Sequence, residues 1–267
     1  MLKDVTLGQY FPGDSYIHRL DPRTKLLMVV VYIVALFMAS NWLGYGLVIA
    51  FLAVCIKIST IPLKAITRGL KPVLMIVVFT GILNLFFTQG THEIFTIFGF
   101  TLTWEAVERA AQMILRIMLL ITGTFLLTYT TSPIALTDGL ESLLNPLKKI
   151  KFPVHELSMM MCIALRFIPT LIEETDKIMS AQKARGADFE TGSIMDRARA
   201  LVPILVPLFI SAFRRADELA IAMECRCYQG GEGRTKLKQL HYTQLDFIAY
   251  GVGAVLVLGV LILSRIG

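Results

Sequence analysis

Few residues in this chain have both the type and the spacing to do chemistry. His155-Glu156 opens like an HExxH zinc helix, but position 159 is Met, so the second metal ligand is missing. No GxSxG nucleophile elbow occurs anywhere. A phosphate loop reads GxxxxGK followed by Ser or Thr; Gly230-Gly231-Glu232-Gly233-Arg234-Thr235 has neither the lysine nor that spacing. No cofactor is therefore expected in this chain, and any ATP that drives it is bound by a partner. The four cysteines, Cys55, Cys162, Cys225 and Cys227, fall short of the CxxC-like, four-ligand pattern of structural zinc, with only His241 as a distant third ligand for the last pair. They read as small or buried thiols, and the expected metal content is none.

What the sequence does repeat is an arginine between small residues. Ala184-Arg185-Gly186 and Cys225-Arg226-Cys227 each follow an Asp nine residues before the Arg (Asp176, Asp217), an aliphatic seven before (Ile178, Leu219) and an Ala four before (Ala181, Ala222). Two helices thus end alike. An Arg at a helix C-terminus gains from the macrodipole and still presents its planar fork to a partner's carboxylate, while small neighbours allow close backbone approach. A solvated helix-end Arg explains either case singly; the pair favours docking.

The elements that must hold these arginines belong to a membrane protein. Of 267 residues, 55% are hydrophobic and 17% charged, with a mean hydropathy of +0.65, whereas soluble domains carry about 25% charged residues. The excess of 26 Lys and Arg over 20 Asp and Glu sits in blocks that encode orientation, and nucleic acid is not an expected partner. Residues 26–56 hold no charge, and a straight helix of that length would rise about 46 Å against a hydrocarbon core of about 30 Å. Ser40-Asn41-Trp42-Leu43-Gly44 supplies the turn, giving spans near 25–41 and 43–59. Further spans are expected at 72–91, 110–131 (interrupted only by Arg116) and 247–264, with a hairpin or surface turn at 93–104. Arg19, Arg23 and Lys25, and then Lys57, Lys64, Arg68 and Lys71, flank one side of the first two spans, which puts the N-terminus in the cytoplasm.

The expected organisation is a cytoplasmic segment 1–24, a membrane domain 25–131 with four spans, a cytoplasmic-side segment 132–242 and a final span 243–267. The segment 132–242 is long and not polar. Leu157, Met160, Ala164, Ile168, Leu171, Thr175 and Ile178 recur at spacings of three and four, an amphipathic helix. A second begins at Ser193, whose hydroxyl can cap with Asp196, and runs to about Cys227. Its uncharged core, 200–213, is too short to span, and Arg166 breaks the apolar run of the first. Both are expected to lie along the membrane, apolar face up, bent at Pro169, Pro203 and Pro207. Asp21-Pro22 and Ser132-Pro133 place a capping side chain before a Pro at two further helix starts. The fold class is all-α: a polytopic membrane protein with about five transmembrane helices plus long, kinked amphipathic coupling helices.

Several motifs, in order and spacing along nearly the whole chain, resemble the transmembrane coupling subunit (EcfT) of energy-coupling factor transporters, related to the membrane subunit of cobalt and nickel importers. They are Gly8-Gln9-Tyr10 with Pro12-Gly13, His18-Arg19-Leu20-Asp21-Pro22-Arg23-Thr24-Lys25, Leu165-Arg166-Phe167-Ile168-Pro169, the run from Ala181 to Phe189, and Cys225-Arg226-Cys227-Tyr228 with the glycines beyond. The resemblance implies a multi-pass subunit of a prokaryotic cell membrane, itself not an enzyme, whose two coupling helices each insert an Arg-tipped end into one of two ATP-binding-cassette ATPases. By position the inserted residues are Ala184, Arg185, Gly186, Cys225, Arg226 and Cys227. The upper face of the same helices is implied to cradle a small membrane protein, the substrate-binding S-component for a vitamin or metal. Leu157, Met160, Ala164, Ile168, Leu171, Leu205 and Phe209 are the residues expected to face it. The family often has Ala before the second Arg, so Cys225 and Cys227 are variants of a small-residue rule.

Two other classes stay open on sequence. A self-contained secondary carrier would place ionisable groups inside its spans, and the chain offers Arg116 there, with Arg109 one heptad earlier. An intramembrane enzyme would need the ligands and nucleophiles found missing above.

Overall fold

The computed structural model describes residues 10–87, 93–97, 100–189, 191, 193–230 and 239–266. The motif residues Gly8, Gln9 and 231–235 lie outside them. Among the described residues eight α-helices run α1 (Pro22–Met38), α2 (Trp42–Ser59), α3 (Leu63–Phe87), α4 (Trp104–Thr130), α5 (Pro133–Leu144), α6 (Val154–Ala184), α7 (Ile194–Glu224) and α8 (Gln244–Ile266). A two-stranded hairpin, β1 (Glu93–Ile97) paired antiparallel with β2 (Phe100–Thr103), joins α3 to α4. This polytopic helical architecture matches the expected class, and the hairpin falls at 93–104 where a turn outside the membrane was expected.

The chain divides into two compact units, a membrane unit of Gly8–Ser142 with Leu240–Gly267 and a second unit whose described part lies in Leu143–Gln239. In the membrane unit, α1, α2, α4 and α8 share a core of Tyr32, Leu36, Ala39, Tyr45, Val48, Leu52, Leu119, Leu256 and Val260. Tyr32 is its keystone: the ring stacks on Phe51 at 6.3 Å and the hydroxyl donates to the Leu119 carbonyl at 2.8 Å. Gly123 makes room for that ring, since a Cβ there would stand 2.4 Å from Tyr32 Cε1. Gly123→Ala is expected to destabilise the protein by about 1–2 kcal/mol, overpacking outweighing the gain in helix propensity. Gly46, with open space around its Cα, is the control; Gly46→Ala should raise or leave unchanged the thermal midpoint in detergent.

The starts of the helices follow the local chemistry. Asp21 Oδ1 accepts from the Arg23 amide at 2.9 Å ahead of Pro22, and Ser132 Oγ accepts from the Ala135 amide at 3.3 Å ahead of Pro133. By length and composition, α2, α3, α4, α6 and α8 can each cross a membrane. Of the expected spans, α1 has 17 residues and rises only about 26 Å, whereas α6 qualifies on hydropathy although the sequence places it outside the bilayer. The third span begins earlier than expected: α3 starts at Leu63 and carries Pro72 inside it. Lys64, Arg68 and Lys71, expected in a loop, are therefore helical, because a helix that leaves the hydrocarbon keeps its backbone bonds while its side chains turn basic.

Candidate functional site

The second unit is a pair of 31-residue helices, α6 and α7, preceded by a 3₁₀ turn at Asn145–Ile150. A capping box starts α7: Ser193 Oγ accepts from the Asp196 amide at 3.3 Å while Asp196 Oδ2 accepts from the Ser193 amide at 3.3 Å. Pro169, Pro203 and Pro207 all lie inside continuous helix. Pro207 cannot donate to the carbonyl of Pro203, and Gln182 Nε2 on α6 reaches that freed oxygen at 3.5 Å.

The helices run antiparallel along their length, because the contacts descend α7 as they climb α6. Tyr228, just past α7, donates to Met159 Sδ at 3.1 Å; Glu174 accepts from Ser211 and pairs with Arg215 at 3.0 Å; Gln182 meets Pro203. The two arginine-tipped ends consequently sit at opposite ends of the pair. The 23 residues from Met159 to Gln182 separate those ends by roughly 35 Å.

Both ends close with the same backbone ladder. Gly186 adopts φ +88°, its amide bonds the Lys183 carbonyl at 3.0 Å and the Ala187 amide bonds that of Gln182 at 3.0 Å. Cys227 adopts φ +55°, its amide bonds Glu224 at 2.8 Å and the Tyr228 amide bonds Met223 at 3.1 Å. Each is a Schellman termination, and in each the Arg stands immediately before the left-handed residue. Ala184, Arg185, Gly186, Cys225, Arg226 and Cys227 are all exposed. Neither guanidinium has an ion-pair partner among the described residues. Left-handed backbone costs a side chain about 1 kcal/mol or more. Cys227→Gly should therefore protect the amides of 227 and 228 from hydrogen exchange about fivefold better, and Gly186→Ala should expose those of 186 and 187 by a similar factor.

The residues expected to face a membrane partner divide by exposure. Leu205 (46%) and Phe209 (62%) on α7, and Met160 (59%) on α6, are open, as is Ala164, while Leu157, Ile168 and Leu171 are half-buried. Sequence reasoning passed over the rest of the α7 face: Val202, Val206 and Phe213 are also open, and with Phe209 they recur at four, three and four residues. That stripe was present in the sequence, hidden inside an apolar run that was weighed only for its length. Among the described residues no group of His, Cys, Asp and Glu could hold a metal ion, and none of the four cysteines is in a disulfide.

The sequence matches the CbiQ family, described as cobalt transport protein, over residues 13–237. It is 51% identical to the energy-coupling factor transporter transmembrane protein EcfT of Ruminiclostridium cellulolyticum across 100% of this chain and 99% of that one. The EcfT of Clostridium kluyveri is 55% identical, covering 100% of this chain and 98% of its own. That of Bacillus subtilis is 50% identical over 92% of this chain and 93% of its own. With the family matched over most of its length and half its residues shared with these relatives end to end, the chain belongs to the EcfT transmembrane proteins of energy-coupling factor transporters, within the CbiQ family.

Proposed function

We propose that this transmembrane subunit is a lever that joins two ATP-binding-cassette ATPases to a small membrane-embedded S-component for a vitamin or other micronutrient. The observation that supports it best is the matched pair of Schellman-terminated ends, each with an exposed Arg, at opposite ends of one antiparallel helix pair. Two equivalent contacts roughly 35 Å apart suit two similar partners, and one compact ligand could not reach both. ATP would be bound and hydrolysed in those partners; this chain would transmit their motion through α6 and α7 to whatever rests on the open apolar face of α7.

The hydropathy of α6 does not decide its placement. Its second half carries Glu173, Glu174, Asp176, Lys177 and Lys183, which hydrocarbon would penalise heavily, so α6 and α7 are read as lying on the cytoplasmic side. The basic residues around α1 and α3 support an N-terminus on that same side. Gentle affinity purification of the full chain from bacterial membranes tests the whole reading. Two nucleotide-binding chains and a small hydrophobic protein are expected to co-purify, whereas a lone oligomer would overturn it in favour of a self-contained carrier. Membrane-impermeant labelling of single cysteines at 173 and 218 should react from the cytoplasmic side only.

A further inference from the structure

At the Trp42 end of the membrane unit, α4 turns two arginines and a glutamine toward one cleft of about 410 Å³, lined by Arg109, Gln112 and Arg116 and by Phe37, Ile117 and Leu120. We infer that this cleft binds one anionic phospholipid, its phosphate held by Arg109 and Arg116 with Gln112 between them, and one acyl chain laid along Phe37, Ile117 and Leu120. On the orientation proposed above, the lipid belongs to the outer leaflet.

The level of the membrane surface is set by Trp42, whose indole donates to Glu108 Oε1 at 2.8 Å, an interfacial residue beside Arg109. Arg116 is rooted about 10 Å deeper on α4, but its guanidinium reaches back toward that surface: Nε and Nη2 donate to the Tyr45 hydroxyl at 3.0 and 2.7 Å, and Nη2 to the Ala39 carbonyl at 3.2 Å. Ala39 is the C-cap of α1, so part of this Arg closes a helix end. That role uses two of its nitrogens and leaves the Nη1 protons with no acceptor among the described residues. Arg109 is exposed, and neither arginine has an ion-pair partner among the described residues. Glu108, next to Arg109 in the chain, already accepts from Trp42 and Gln112, and neither it nor Glu105 one turn earlier lines the cleft. The lining of the cleft therefore carries two cations and no carboxylate at headgroup depth, above an apolar wall at chain depth. Guanidinium groups at this level meet phosphate diesters, and the apolar wall below distinguishes a lipid from a free anion.

The test uses the full chain purified in detergent, examined by native mass spectrometry and by thermal unfolding with added phosphatidylglycerol, phosphatidylcholine or inorganic phosphate. Phosphatidylglycerol is expected to be retained and to raise the unfolding midpoint more than phosphatidylcholine does, and phosphate alone to do neither. Arg109→Gln, which leaves the α1 cap intact, should weaken phosphatidylglycerol retention about fivefold, the worth of one cation at the surface, and Arg109→Lys should restore part of it. Equal retention of the two lipids, stabilisation by phosphate alone, or unchanged retention in Arg109→Gln would each overturn the assignment.

Discussion

Arg185→Glu combined with Arg226→Glu is expected to reduce substrate uptake in reconstituted vesicles to background and to strip the ATPases from the complex during purification. Each guanidinium is exposed and unpaired among the described residues, so the chain's own fold loses no ion pair when it is replaced, and the thermal midpoint of the isolated subunit should fall only slightly. If each Arg docks as proposed, its reversal would set a carboxylate against the partner's carboxylates in the assembly, at a cost of several kcal/mol per site. It would also add a negative charge to the negative end of a helix dipole, a smaller penalty of about 0.3–1 kcal/mol. Because the two ends stand at opposite ends of the helix pair, either single variant should keep one ATPase contact and lose less of the complex than the double. Arg185→Lys tests the chemistry more finely: it keeps the charge and loses the planar fork, and should fall between wild type and Arg185→Glu. Unchanged uptake in the double variant would remove the docking role altogether.

Much of this was legible in the chain before any coordinates, and what was not has physical reasons. The two small-Arg-small patterns could be matched by counting residues back to Asp176 and Asp217, but counting does not reveal why they match. The reason is a shared backbone termination, one built on Gly186 and the other on a strained Cys227, and a cysteine gives no sequence signal for positive φ. Caps at Asp21, Ser132 and Ser193 were readable because each acts within three residues of itself. Long-range polar contacts were not. Asp246 accepts the Asp21 amide at 2.9 Å across 225 residues of chain, and Arg23 lies over the Tyr242 ring at 4.1 Å while donating to Ser142 Oγ at 3.3 Å. Those contacts tie the start of α1 to the two points where the chain leaves and re-enters the membrane unit, and no local pattern announces them. Helix α3 was cut short for a different reason. Hydropathy marks where hydrocarbon ends, whereas the backbone hydrogen bonds continue through Lys64, Arg68 and Lys71.

Phe209→Asp should separate the two surfaces proposed for α6 and α7. The ring is 62% exposed on α7 in the same stripe as Val202, Val206 and Phe213, so replacing it leaves the α6–α7 contacts at Glu174, Ser211 and Arg215 in place. If an S-component rests there, the substitution deletes an aromatic anchor and buries an unpaired carboxylate, together worth 2 kcal/mol or more, which is at least about a thirtyfold loss of affinity. The expected result is a complex that purifies with its ATPases but without the S-component, hydrolyses ATP and imports nothing. Phe213→Asp should behave alike, being 68% exposed. The same change at Leu157 or Ile168 is a poorer probe, because both are half-buried and a charge there also disturbs the packing within the pair. Loss of the ATPases with the S-component retained would reverse the assignment of the faces, and retention of every subunit would show that the α7 stripe meets lipid.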